Sequence, residues 1–566
     1  MRLPFARFTL VLLLLFFVGN VLYAQDGGAL LSTSSSFTRS DTLRGTLSAL
    51  RTWFDVTHYN LHITVNPDEK YLSGYNDIYF LVKDEGNKTM QLDLFANLQI
   101  DSILWHNKKL PYTREFNTFY VSFSENLPPK SVQQIRIYYS GSPTLAVNPP
   151  WNGGFVWQKD QNGKHWVGVA CQGLGASVWY PNKDHQSDEP DSMRISCAVP
   201  KDLFCFANGQ AAGIKPENDH YTRYDWRVTY PVNNYAASLN IGDYAVLNDF
   251  YVSKTLKDTL AIHYYVLSYN AEQAKAHFEQ VKPMMACYEQ FFGPYPFWND
   301  GYAMVETPYL GMEHQSGIAY GNQYKKGYMG WDITGSGIGE RFDYIVIHET
   351  GHEWWGNSVT SADIADMWIH ESFCTYGESV YVECLYGKAD AMKYVNGPKA
   401  RIDNEAPMIG HYGVNKEGSG DMYAKGALML NTMRHVIDND ELWWQIIKGI
   451  AQDFQYKTVT RDSIVTYFNR KSGKKLDAIF DQYLSYAKLP ILEYKTQKRG
   501  KKLKVSYRWK ANVPEFDMPL KYQKADGEWA TIKPNTKEWQ SFVLNDTISK
   551  DPVFDEESYY FESKKL

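Results

Sequence analysis

Two histidines four positions apart, His348 and His352, enclose Glu349 in the run His348-Glu349-Thr350-Gly351-His352, and a second carboxylate, Glu371, follows nineteen positions after His352. On a helix this spacing puts both imidazoles on one face, one turn apart. Two neutral imidazoles so placed can grip a zinc ion, and a catalytic zinc usually takes three protein ligands and leaves its fourth position to water. Glu371 is the candidate third ligand, because its distance from His352 lets the first helix end and a second return antiparallel. Glu349, beside the first ligand, is placed to act as general base on that water. The expectation is one zinc per chain, held by His348, His352 and Glu371. The apolar residues Phe342, Tyr344, Ile345 and Ile347 predict a buried helix leading into the motif. Asp366-Met367-Trp368-Ile369-His370-Glu371 delivers the carboxylate from the start of another helix.

These residues need a scaffold, and the chain reads as a multidomain α+β protein. Residues 25–46, rich in Ser, Thr, Gly and Asp, read as a poorly ordered lead. From Trp53 the pattern alternates, with Tyr59, Leu61, Ile63 and Val65 on one face and a turn at Asn66-Pro67-Asp68. Further strands are expected at 75–82, 90–94, 119–123 and 134–139, making residues 47–248 an N-terminal antiparallel β domain. Residues 249–488 follow as the catalytic domain. There 261–266 and 302–307 are strand-like, 271–292 has helical spacing, and helices dominate from 421 to 487, with Thr460 a good N-cap. Gly335-Ser336-Gly337-Ile338-Gly339 lacks the spacing of a phosphate loop and reads as a flexible loop. Residues 489–566 return to alternation (Leu503, Val505, Tyr507, Trp509) around a basic hairpin turn at Gly500, which predicts a small C-terminal β-sandwich.

An apolar content of 44% over 566 residues supplies ample core for several domains. The net charge of −6 gives no reason to expect nucleic acid or an anionic membrane surface as partner. Arg2 and Arg7, an apolar core at 8–18 and Leu22-Tyr23-Ala24 before Gln25 make residues 1–24 a signal peptide. Export to a periplasm or the outside is expected, with no stable membrane span after cleavage. Six cysteines without Cys-x-x-Cys spacing read as mostly free, buried thiols.

Three motifs resemble the aminopeptidase N family of zinc metallopeptidases, family M1. The first runs from His348 to Asn357 and on through Trp368-Ile369-His370-Glu371-Ser372-Phe373. The second is Leu310-Gly311-Met312-Glu313-His314, similar to the family's Gly-x-Met-Glu-Asn. The third is Tyr423-Ala424-Lys425-Gly426-Ala427, similar to its Tyr-x-Lys-Gly segment. Asp55-Val56-Thr57-His58-Tyr59 also resembles the family's opening strand.

The resemblance implies a thermolysin-like zinc catalytic domain that trims peptides from a free N-terminus, in a short form without the large C-terminal helical domain. It makes Tyr423 the hydroxyl that shares the oxyanion's charge. It makes Glu313 the partner of the substrate's amine, which sets the register of cleavage at one residue. Gln172 matches a position that helps bind the same amine. The backbone of Gly311 and Met312 would pair with an extended substrate. Leu310 stands where the family usually has Gly, and His314 and His370 where it usually has Asn. Three alternatives use the same scaffold: a zinc endopeptidase, a non-peptide hydrolase, or a catalytically silent peptide-binding protein. Glu313 argues against the first, and the intact set with Tyr423 against the last.

Overall fold

Strand Phe54–Asn66 shows how the N-terminal region is built. Its alternating Tyr59, Leu61, Ile63 and Val65 are all buried, and Tyr71–Val82 returns antiparallel beside it after the turn at Asn66. The computed structural model describes residues 37–83, 86–545 and 551–566, so the expected signal segment 1–24 lies outside the described residues. The first strand sits within an eight-stranded sheet that includes Val132–Gly141, Leu98–Trp105, Ser192–Pro200, Tyr221–Val228 and Gln210–Pro216. Sheets of three and four strands complete the region, the latter containing Gly154–Lys159 and His165–Ala170.

One pairing departs from the expected antiparallel pattern. Phe54–Asn66 runs parallel to Ser192–Pro200. The chain between them forms other strands before returning, and a long crossover can bring a strand back in either direction, whereas a tight hairpin cannot.

The lead also differs from its expectation. Within the stretch read as poorly ordered, Arg39–Gly45 is a helix. Thr38 caps it, accepting from the Asp41 N–H while the Asp41 carboxylate accepts from the Thr38 N–H. Arg44 in its last turn is buried against Asp184 at 3.1 Å. Ser, Thr and Asp are abundant in disordered leads, but here Thr38 and Asp41 serve as caps.

The middle of the chain centres on a five-stranded sheet in the order Tyr244–Val252, Thr259–Leu267, Tyr302–Glu306, Ile318–Tyr320, Gly311–Met312. Gly311–Met312 is the edge strand, paired on one side only. The helical stretch expected at 271–292 is interrupted: Ala271–His277 and Val281–Phe292 are α-helices joined by a 3₁₀ turn at Phe278–Gln280. Pro283 falls in the first turn of the second helix, where its missing N–H costs nothing, and further along it would break the hydrogen-bond ladder. The 335–339 segment, read as flexible, is gathered by Asp332, which accepts from Thr334 N at 2.8 Å and Gly337 N at 2.6 Å.

Helices Ala424–Ile437, Asp440–Asp453, Arg461–Ser472 and Asp477–Ser485 follow, and Thr460 caps the third. The C-terminal strands form a four-stranded sheet with a two-stranded ribbon, Leu520–Gln523 and Trp529–Ile532. Tyr522 of the ribbon stacks on Phe542 of the sheet at 3.9 Å. Their apolar residues Val505, Trp509 and Leu520 join the same core as these helices. All six cysteines are free, and among the described residues no helix is long and apolar enough to cross a membrane.

Candidate metal centre and active site

Asp343 begins the site. Its carboxylate accepts from Ile345 N and Val346 N, capping helix Tyr344–Gly351, and also from the Tyr320 hydroxyl at 2.7 Å. The helix is short, and His352 is its C-cap, but His352 keeps a helical backbone (φ −64°, ψ −18°), so the one-turn spacing to His348 survives. The two Nε2 atoms stand 3.3 Å apart. Helix Trp368–Tyr386 brings Glu371 from its first turn, with Oε2 at 3.6 Å from His348 Nε2 and 3.5 Å from His352 Nε2. All three side chains are buried.

Each imidazole is turned by its other nitrogen. His348 Nδ1 donates to Glu378 Oε1 at 2.7 Å, and His352 Nδ1 donates to the Trp355 carbonyl at 3.0 Å. In the neutral rings both Nε2 atoms therefore carry the lone pairs, facing each other and Glu371. Glu371 Oε2, buried among them, has no hydrogen-bond partner among the described residues. Two lone pairs and an orphaned carboxylate oxygen converging on one point are the donor set of a divalent zinc ion.

The electrostatics agree. Burial alone would lower His348, but its bonds to Glu371 and Glu378 carry it up to about 10. Burial opposes ionisation of Glu371, yet His352 and His348 outweigh it and hold that carboxyl well below the usual range. Without a metal, the acidic side chains put protons on the imidazoles. A dication supplies the same positive charge and leaves the imidazoles neutral, as ligation requires. The residues present therefore fit zinc.

Glu349 and Glu313 flank this centre. Atoms of Glu313, Glu349 and His352 all lie within 4.8 Å of one another. Burial pushes the Glu349 carboxyl up to about 7, against the pull of His348 and His352. A Cβ on Gly311 would stand 3.0 Å from Glu349 Oε1 and 2.8 Å from Ile345 Cγ2, so only glycine lets the edge strand lie this close to the motif helix. Glu313 follows directly, buried, with Oε1 unpartnered and its backbone carbonyl accepting from Asn357 Nδ2 at 2.9 Å. Burial, and then the Glu371 charge, raise its carboxyl. Met312 is buried in the same strand. Gln172 comes from the end of strand His165–Ala170 and donates to Glu371 Oε1 at 3.1 Å. The Tyr423 ring lies 6.1 Å from the His348 ring, and its hydroxyl faces Glu371. Every candidate residue is thus brought to one site.

Residues 276–483 match the family model described as the peptidase family M1 domain. Over these residues the chain carries a peptidase family M1 domain. Endoplasmic reticulum aminopeptidase 1 of Mus musculus is 23% identical over 257 residues, covering 42% of this chain and 26% of that protein. Aminopeptidase B of Homo sapiens is 22% identical over 163 residues, 25% of each. The chain thus spans about a quarter of these curated relatives. A crystal structure of an M1 zinc metallopeptidase from Deinococcus radiodurans superposes with a TM-score of 0.65 at 20% identity, covering 79% of this chain and 98% of that one. At that identity the likeness is one of fold.

Three residues of the M1 domain's site were not singled out from the sequence. Glu378, which orients His348, lies seven positions after Glu371 on the same helix face, a local signal that was available. Tyr394 donates to its second oxygen at 2.7 Å. Tyr235 comes from the N-terminal region and lies against Glu313. His370 supports it: Nε2 accepts from Ser361 N at 2.8 Å, so the proton is on Nδ1, 3.3 Å from the Tyr235 hydroxyl. His314 is buried with both ring nitrogens unpartnered, and burial pushes it down to about 3, so it stays neutral. His411 sits against Phe37 at 5.0 Å and plays no part in the centre.

Proposed function

We propose that this chain is an exported zinc aminopeptidase that removes single residues from the free N-terminus of peptides. The observation that carries this reading is one buried site in which the base, an amine-binding carboxylate and a metal-ligand histidine lie within 4.8 Å of one another. The M1 match and the aminopeptidase names of the relatives support it.

His348, His352 and Glu371 would hold zinc, whose chemistry is to acidify water and polarise a carbonyl. Glu349 takes a proton from the attacking water and returns it to the leaving amine. The Tyr423 hydroxyl donates to the oxyanion as it forms. Glu313, with Oε1 free, pairs with the substrate's ammonium, and Gln172 donates to Glu371 and holds it in place. The open edge of Gly311–Met312 receives the substrate backbone as an added strand.

The test compares one peptide with a free and an acetylated N-terminus, with and without a zinc chelator. Stepwise cleavage of the free peptide alone, stopped by the chelator, is expected. Internal cleavage of the acetylated peptide would make the enzyme an endopeptidase. Export is tested by fractionation and N-terminal sequencing, with the mature chain expected to begin at Gln25. A cytosolic protein retaining Met1 would refute it.

Two variants test the assigned roles. Tyr423→Phe is expected to lower kcat by ~10²- to 10³-fold with little change in KM, the usual effect of losing one oxyanion donor. Wild-type kcat would remove Tyr423 from the chemistry. Glu378→Gln is expected to weaken zinc affinity by ~10- to 100-fold, because His348 loses the carboxylate that fixes its tautomer. Competition with a chromogenic chelator reads this without any activity measurement.

A further inference from the structure

A cavity adjoining the amine site is lined by Gln172, Gly173, Tyr235, Arg44, Asp184 and Glu417, among others. Two of these tie it to the centre: Gln172 donates to Glu371, and Tyr235 lies against Glu313. Most charged groups around the cavity are already engaged. Arg44 pairs with Asp184 at 3.1 Å, and Asp184 also accepts from Ser177 N at 3.1 Å. Asp363 accepts from Ala365 N and Gly413 N.

Glu417 is different. Among the described residues no hydrogen bond or ion pair holds its half-buried carboxylate. One of its oxygens would stand 3.3 Å from a Cβ on Gly173, the residue directly after Gln172, so the carboxylate overhangs the loop that reaches Glu371. The segment carrying it is well tethered. Asn415 N donates to the Asp41 carbonyl at 3.0 Å, Asn415 Nδ2 to the Gly173 carbonyl at 3.2 Å, and Ser419 N to the Pro407 carbonyl at 3.0 Å. The free carboxylate is therefore presented by a fixed backbone.

We propose that this cavity receives the side chain of the substrate's first residue, and that Glu417 makes it select cationic side chains, arginine or lysine. The inference rests on the aminopeptidase reading. With the ammonium on Glu313, the first Cα is one bond away, and its side chain leaves the centre beside Gln172 and Tyr235. A neutral side chain would leave Glu417 partly desolvated and unpaired, whereas a guanidinium or ammonium compensates it. Burial, and then the Glu371 and Glu313 charges, push the Glu417 carboxyl up to about 7, and a cation placed beside it would favour its charged form.

The test measures kcat/KM for fluorogenic amides of arginine, lysine and norleucine on the zinc-loaded enzyme and on Glu417→Gln. Norleucine matches the aliphatic stem without the charge. The wild type is expected to prefer arginine and lysine over norleucine by ~10- to 100-fold, the worth of one charged hydrogen-bonded pair. Glu417→Gln should bring that ratio close to unity. Because all substrates are read on one preparation, partial misfolding cancels from the ratio. A wild-type ratio near unity, or a preference unchanged in the variant, overturns the proposal. An equal loss on all three amides would make Glu417 an amine contact and also overturns it. If none of the three amides is cleaved, the aminopeptidase reading falls and the inference with it.

Discussion

Glu349→Gln is expected to lower kcat by ~10²- to 10⁴-fold, the range a single general base contributes, while zinc content stays at one per chain. The substitution keeps the shape of the side chain and its contact with Gly311, but removes the acceptor that takes the proton from water. The three ligand atoms come from His348, His352 and Glu371, and neither histidine is oriented by Glu349: Glu378 and the Trp355 carbonyl do that. Metal analysis beside steady-state kinetics checks both halves. Loss of zinc in this variant would show that Glu349 is a ligand or a support for one, and full turnover would show that another group is the base.

Glu313→Ala is expected to reduce kcat/KM on free-amine peptides by ~10²- to 10³-fold, chiefly through KM, because removing one partner of a buried ion pair costs ~3–5 kcal/mol. Glu313 is buried with Oε1 unpartnered, so in the free enzyme it is a desolvated acceptor awaiting a cation. It is neither a metal ligand nor in the path of the proton, which is why the loss falls on binding and register. Discrimination against an acetylated N-terminus should shrink in the same variant. Unchanged kinetics would pass the anchoring role to Gln172 or Glu371.

Glu313 and Glu349 also show why the edge strand matters. Gly311 brings the two carboxylates together by allowing the strand to lie against Ile345 and Glu349, where any Cβ would collide. The family's first motif position is occupied here by Leu310, whose carbonyl accepts from Gly321 N at 2.7 Å, so the strand path is retained by a backbone bond. His314 and His370, in place of asparagine, remain neutral for the same reason, burial, yet differ in use. His370 props Tyr235, whereas among the described residues the His314 ring makes no hydrogen bond.

What the sequence determined by itself was local chemistry. His348, Glu349 and His352 are related by one helical turn, and no long-range packing is needed to place them on one face. The alternation of Tyr59, Leu61, Ile63 and Val65, and the cap at Thr460, are likewise written in neighbouring residues. Glu378 belongs to this class too, since its relation to Glu371 is two turns of one helix. Tertiary structure decided everything that depends on distant segments meeting. Gln172 reaches Glu371 across 199 positions, and Tyr235 reaches His370 across 135. The parallel pairing of Phe54–Asn66 with Ser192–Pro200 depends on how the intervening strands return. The helix at Arg39–Gly45 is read as disorder from composition, because its stabilising partner Asp184 lies 140 positions away. Glu417 is an ordinary loop glutamate in the sequence. Only the fold lays it over Gly173, leaves it without a partner among the described residues and opens a cavity beside it, because an unpaired group is a property of its surroundings and not of its neighbours in the chain.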